Sequence, residues 1–129
     1  VLAYRIGPDG APLFLLITSR ETKRWVVPRG KPILGLAAHQ TAAQEAWEEA
    51  GITGAIDASA LGAYRYSKGL RDGSAVPASV QIFAFRVAEQ KPDWPERHQR
   101  DTRWFTRDDA VAAVDEQGLK EIIRAFTPG

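Results

Sequence analysis

The stretch from Gly30 to Ile52 constrains this chain more than any other. A loop broken by Gly30, Pro32 and Gly35 runs into a short helical segment, and Gly51 closes that segment. Glu45, Glu48 and Glu49 stand at spacings of three and four, so their carboxylates share one helical face. Like charges at these spacings repel. A purely structural helix gains nothing from them, whereas a divalent cation relieves the repulsion. Taken without the surrounding glycines, the same three acids are an ordinary solvated face.

The totals bound what surrounds this stretch. With 129 residues the chain is expected to form one domain, residues 1–129. At that length about two-thirds of the unfolded surface can be buried, enough for a core without staples. There is no cysteine, which excludes disulfides, thiolate chemistry and zinc–thiolate sites and suits a cytoplasmic location. A net charge of +1 gives no general reason to bind nucleic acid or an anionic membrane. No apolar run approaches the roughly 18 residues that span a bilayer. The chain opens with Val1 rather than Met, so its natural start is expected upstream.

Along the chain, Val1 to Ile6 and Leu13 to Ile17 read as strands joined by the turn Gly7-Pro8-Asp9-Gly10. Trp25-Val26-Val27 is extended ahead of Pro28. The acidic helix begins between Ala37 and Ala42, with Thr41 and Gln44 spaced for a capping box. Leu61 to Ser67 and Ser79 to Val87 read as strands, the second central, and Arg103 to Phe105 as a short one. Thr106 caps a helix, and Leu119, Ile122, Ile123 and Phe126 mark an amphipathic last helix. Trp25 and Trp47 are read as packing residues, and His39 and His98 as surface residues without a ligand partner at metal spacing. The pattern is a mixed sheet with helices on it, α/β or α+β.

Helical acids beside a glycine loop suit magnesium, which takes a few carboxylate oxygens and completes its octahedron with waters and substrate phosphates. At these residues the chain resembles the Nudix hydrolases. Their box places Gly, Glu, Arg-Glu, an aliphatic, Glu-Glu, Gly and an aliphatic at fixed intervals. Gly30, Glu45, Glu48, Glu49, Gly51 and Ile52 fall in register, while Leu36, Gln44 and Ala46 stand where the pattern has Glu, Arg and a larger aliphatic. Trp25 to Pro28, Asp93-Trp94 and Arg103 to Phe105 are similar to the diphosphoinositol polyphosphate phosphohydrolase branch.

The resemblance implies an α/β/α sandwich with a mixed, curved sheet, and hydrolysis of a phosphoanhydride dependent on Mg2+ or Mn2+. It makes Glu45 and Glu49 metal ligands and Glu48 the catalytic base or a further ligand. It adds the backbone carbonyl of Gly30 or Arg29 to the metal shell. In that branch the residues matching Ser19, Arg20, Lys68, Arg71 and Arg103 lie near phosphates, and Arg29 joins this basic rim, since arginine grips phosphate bidentately. The implied substrates are diphosphoinositol polyphosphates, dinucleoside polyphosphates or other nucleoside diphosphate derivatives, with no nucleic-acid or membrane partner. Leu36 and Gln44 replace an acid and a base together, which leaves no unpaired charge. Leu36 is expected to pack under the loop, and Gln44 to act as a neutral cap. The alternative function is a Nudix domain that senses a nucleotide without cleaving it.

Overall fold

The structure, a computed structural model, describes residues 1–70 and 72–128, and at Lys68 the backbone course. Strands β1 (Leu2–Ile6), β2 (Pro12–Thr18) and β3 (Trp25–Val26) precede helix α1 (Ala38–Ala50). Then come β4 (Ile52–Ile56), β5 (Gly62–Gly69), β6 (Ala75–Ile82), β7 (Ala84–Gln90) and β8 (Thr102–Phe105), and last α2 (Arg107–Ala113) and α3 (Gln117–Ala125). The main sheet runs β3-β2-β1-β7-β4, with β8 added to β2. It is mixed: β1 and β7 are parallel, and the other pairs are antiparallel. β5 and β6 form a separate two-stranded hairpin.

The unbroken apolar run in β2 has a direct cause, because both faces of the sheet are covered. Leu15 and Ile17 turn to one side, with Ala3, and pack with Ala46 and Ala50 of α1. Phe14 and Leu16 turn to the other, with Leu2 and Tyr4, and pack with Ala110, Val114, Leu119 and Ile123 of the C-terminal helices. The expected α/β/α sandwich is therefore observed, its two cores divided by the pleat of β1 and β2.

Two strand expectations change. Ser79 to Val87 is not one central strand. It breaks at Phe83 into β6, in the hairpin, and β7, which lies between β1 and β4 in the main sheet. Directly after α1, where the sequence pattern marks no strand, Ile52 to Gly54 open β4, which pairs with β7 across a register shift at Thr53/Gly54. The cap of α1 also moves. Ala37 is the N-cap and its N–H donates to Gln40 Oε1 at 2.8 Å. Thr41 lies within the first turn, where its hydroxyl accepts from Ile33 N–H at 3.3 Å and ties the loop to the helix. The cap of α2 is as expected, with Asp109 N–H donating to Thr106 Oγ1 at 3.2 Å.

Gly51 ends α1 in the left-handed region, φ 69°, where its N–H donates to Trp47 O at 2.9 Å. A Cβ there would enter the Trp94 ring. Gly51→Ala is therefore expected to combine backbone strain with a clash and to cost about 2–4 kcal/mol in denaturant unfolding. Gly10→Ala, at φ 84° with open space around it, is expected to cost only about 1 kcal/mol. Equal losses would show that the Trp94 contact is of no consequence.

Candidate active site

The three acids of α1 do not lie in equal surroundings. Glu49 is 3% exposed, while Glu45 and Glu48 are half-buried. The loop backbone comes down onto Glu45. A Cβ at Gly30 would lie 2.6 Å from Glu45 Oε1, so any side chain there would displace the Glu45 carboxylate. Gln44 Nε2 donates to Glu48 Oε1 at 3.3 Å, one helical turn on.

The C-terminal end of α1 is completed from far along the chain. Of the carbonyls left open there, Glu48 O accepts from Glu96 N–H at 2.9 Å and Ala50 O from Gln90 Nε2 at 3.0 Å. The segment 91–101 is thereby laid along the helix, and it brings Arg100 to the acids. Arg100 stands 3.7 Å from Glu49 Oε1 and 3.0 Å from Glu96 Oε1. Its Nη1 donates to Thr18 O at 3.3 Å. Burial pushes the Glu49 carboxyl up to about 8, helped by its contact with Glu45, and Arg100 only partly opposes the shift. Glu49 is therefore held toward its protonated form beside Glu45.

The expected basic rim is only partly assembled. Arg29 turns toward the helix layer: Nη1 donates to Tyr64 Oη at 3.0 Å, lies 3.6 Å from Glu116 Oε1, and the guanidinium stacks 4.1 Å from the centre of the Tyr66 ring. Burial pulls its pKa down, but the two tyrosines and Glu116 outweigh that and hold it above the ordinary value. Ser19 is occupied within its own turn, with Thr22 at 2.5 Å and Arg24 N–H at 3.1 Å. Arg20 donates to Gln99 Oε1 at 3.1 Å, beside Arg100. Arg103 lies over the Phe105 ring. Arg71 and the Lys68 side chain lie outside the described residues. Leu36 does not pack under the loop; it is 42% exposed. Gln44 does not cap the helix, a role taken by Gln40.

Arg100 and Glu96 are the site residues that sequence reasoning passed over. Arg100 is one of many loop cations in the sequence, and only its spacing of four from Glu96 sets it apart. Beside the acids lies a cavity of about 290 Å³, bordered by Arg29, Gly30 and Leu36, the first turn of α1, and Ser79, Val80, Gln81 and Phe83.

The fold and this carboxylate helix define a class, an α/β/α domain that carries acids beneath a glycine loop. The NUDIX domain family matches residues 1–126, and the chain belongs to that family. Among curated relatives, Nudix hydrolase 12, mitochondrial, of Arabidopsis thaliana is 28% identical over 115 residues, which cover 87% of this chain and 57% of that protein. Nudix hydrolase 4 of the same plant is 28% identical over 116 residues, 87% of this chain and 52% of that protein. The chain thus spans little more than half the length of these two relatives. Among solved structures, a C. elegans Ap4A hydrolase binary complex has a TM-score of 0.69 at 21% identity, over 95% of this chain and 88% of that one. The NUDIX domain of Shewanella oneidensis NrtR, complexed with ADP ribose, has a TM-score of 0.69 at 15% identity, over 95% and 82%. No helix among the described residues is long and apolar enough to cross a membrane.

Among the described residues, no three acid or histidine side chains stand close enough to enclose a cation unaided. The donor set still fits a hard divalent ion. It is all oxygen, the Glu45 and Glu49 carboxylates are in contact, and a loop backbone approaches them.

The raised Glu49 pKa makes the metal-free protein sensitive to pH. The folded carboxyl keeps its proton up to about 8, while the unfolded one loses it near 4.5. The folded state therefore binds more protons between these values, and stability falls as pH rises through the window. Thermal melts in EDTA are expected to show Tm decreasing from pH 5 to pH 8. Glu49→Gln is expected to flatten that slope, and an unchanged slope would remove Glu49 as its source.

Proposed function

We propose that this chain is a magnesium- or manganese-dependent pyrophosphohydrolase that breaks a phosphoanhydride bond in a polyphosphorylated small molecule. The observation that carries the reading is the Gly30 backbone lying against the Glu45 carboxylate, with the buried Glu49 carboxylate in contact with Glu45. Glu45, Glu49 and the backbone carbonyl of Gly30 or Arg29 would hold the ion. When bound, the ion neutralises phosphate charge and makes a coordinated water more acidic.

The chain's own groups supply the remainder. Glu48 is the base: Gln44 engages Oε1, and Oε2 is left to take the proton from the water that attacks phosphorus as the bridging P–O bond breaks. Arg100 limits the cost of burying Glu49 and fixes its direction. Arg20, and Ser19 when released from its turn, lie in the loop after β2 and are assigned to outlying phosphates together with Lys68, Arg71 and Arg103. Arg29 acts through its backbone, since its side chain is engaged by Tyr64 and Glu116.

For the substrate, the relatives that bear on the choice are one whose name is Ap4A hydrolase and one bound to ADP ribose. They favour dinucleoside polyphosphates and nucleoside diphosphate derivatives. Diphosphoinositol polyphosphates rest on the basic rim alone. The absence of cysteine suits the cytoplasm, although several relatives are named mitochondrial. A second reading, a sensor that binds without cleaving, is favoured by Gln44, which gives Glu48 one neutral hydrogen bond where the family pattern has arginine.

Phosphate release from a panel of polyphosphorylated compounds tests both readings. Turnover is expected with magnesium and is expected to vanish with EDTA. Glu49→Gln should abolish it, and Glu48→Gln should lower kcat by about 10²- to 10⁴-fold. Full activity in Glu49→Gln would overturn the assignment, and tight binding without turnover would select the sensor.

A further inference from the structure

Glu116 is buried without a local reason. It occupies the N-cap position of α3, yet its side chain makes no cap hydrogen bond, and that position is ordinarily served by shorter side chains. The residue is 8% exposed. Among the described residues, neither of its carboxylate oxygens has a hydrogen-bond partner. A buried carboxylate in that state is costly unless an opposite charge answers it. The answer comes from the far end of the chain, from Arg29, whose Nη1 stands 3.6 Å from Glu116 Oε1.

The fold is shaped to bring this pair together. Gly118, in the first turn of α3, lies against β5, and a Cβ there would stand 2.8 Å from Tyr64 Cβ. That close approach carries the buried Tyr64 to the same end of α3, where its hydroxyl accepts from Arg29 Nη1 at 3.0 Å. Tyr66, two residues on in β5, lays its ring 4.1 Å from the guanidinium. Arg29 is thus gripped by a strand and a helix at once. Releasing it to a ligand would leave Glu116 buried and unpaired, which is the costly way to break such a pair.

The grip acts on the loop backbone. Among the described residues, Arg29 and Gly30 make no backbone hydrogen bond within the protein. The next tie along the loop is at Ile33, whose N–H donates to Thr41 Oγ1. Between the buried Pro28 and that tie, the Arg29 side chain is the polar anchor. A stretch that contains glycine and lacks backbone hydrogen bonds has little stiffness of its own. The two carbonyls are therefore fixed through a side chain while both stay open to a ligand.

We propose that Glu116 and Tyr64 are positioning residues: by clamping the Arg29 side chain they hold the Arg29–Gly30 backbone against Glu45, where one of its carbonyls serves a divalent cation. The proposal rests on the hydrolase reading for the cation, and on the contacts above for the clamp.

Two measurements on the full chain keep these apart. The first is the order parameter of the Gly30 and Lys31 amides in EDTA, and the second is Mn2+ affinity by calorimetry. The amides are expected to be rigid in the wild type, at about 0.85, and to fall below about 0.6 in Glu116→Gln. Mn2+ is expected to bind Glu116→Gln about 10- to 100-fold more weakly, the usual loss when an outer-shell partner is removed. Tyr64→Phe keeps the packed ring and removes only the hydroxyl. It is expected to move both readouts the same way by a smaller factor, and it carries the test if Glu116→Gln does not fold. Thr106→Ala removes the α2 cap and is expected to lower stability while leaving both readouts as in the wild type. Order parameters unchanged in both clamp variants, Mn2+ bound by both as by the wild type, or an equal loss in Thr106→Ala would overturn the proposal. If the wild type binds no Mn2+ while the amides still loosen in the clamp variants, the hydrolase reading fails and the clamp stands.

Discussion

A carboxylate almost without solvent is costly unless something answers its charge. Glu49, at 3% exposure, is the point on which the arrangement of the loops depends. Two answers are built around it. Arg100 comes from the distant 91–101 segment and faces it at 3.7 Å. Burial, and after it the contact with Glu45, raises the Glu49 pKa and holds the carboxyl toward its neutral form. Neither answer is complete, since 3.7 Å is an ion-pair distance without a close hydrogen bond. In the proposed reading a cation would complete the neutralisation that Arg100 leaves unfinished.

The same requirement explains why the chain is laid out as it is. The glycine loop must approach within touching distance of Glu45, so position 30 has no room for a side chain. The connection after β7 must run along α1 to deliver Arg100. It is pinned there by closing the helix carbonyls, Glu48 O with Glu96 N–H and Ala50 O with Gln90 Nε2. Trp94 seats on Gly51, the same glycine that lets the helix end. The termination of one helix thus also fixes the segment that completes the site. On the far side, Arg29 links the loop to Tyr64 and to Glu116 at the start of α3. The glycine loop is held from both layers of the sandwich.

What could be read from residue order follows from this division between local and distant causes. The β2 run, the Thr106 cap, the amphipathic α3 and the glycine that ends α1 are each specified within a few residues, and all were found where pattern placed them. The register of Gly30 with Glu45, Glu48 and Glu49 is local too, because one loop and one helix carry it. The break at Phe83 was hidden, since an apolar run reads alike whether it stays in one sheet or passes between two. The helix cap was misplaced because Thr41 and Gln44 satisfy a capping spacing that Ala37 and Gln40 fulfil one turn earlier. Arg100 was hidden for a stronger reason: its value depends on a residue 51 positions away, and nothing within its own segment marks it out.

The paired departures at Leu36 and Gln44 then take on separate meanings. Charge balance alone treats them as one substitution, an acid and a base removed together. Their surroundings do not. Gln44 still points a donor at Glu48, so part of the arginine's orienting role survives with a neutral donor, which lacks the opposite charge and the bidentate grip of a guanidinium. Leu36 retains nothing of the acid it replaces and is not folded into the core. One change therefore adjusts how firmly the proposed base is held, and the other alters what lies against the neighbouring cavity. A leucine 42% exposed in the turn over residues 33–36, where Gly35 takes a positive φ, adds little to the stability of its own fold. The replacement at Leu36 therefore acts at the cavity rim, and only the one at Gln44 reaches the acids.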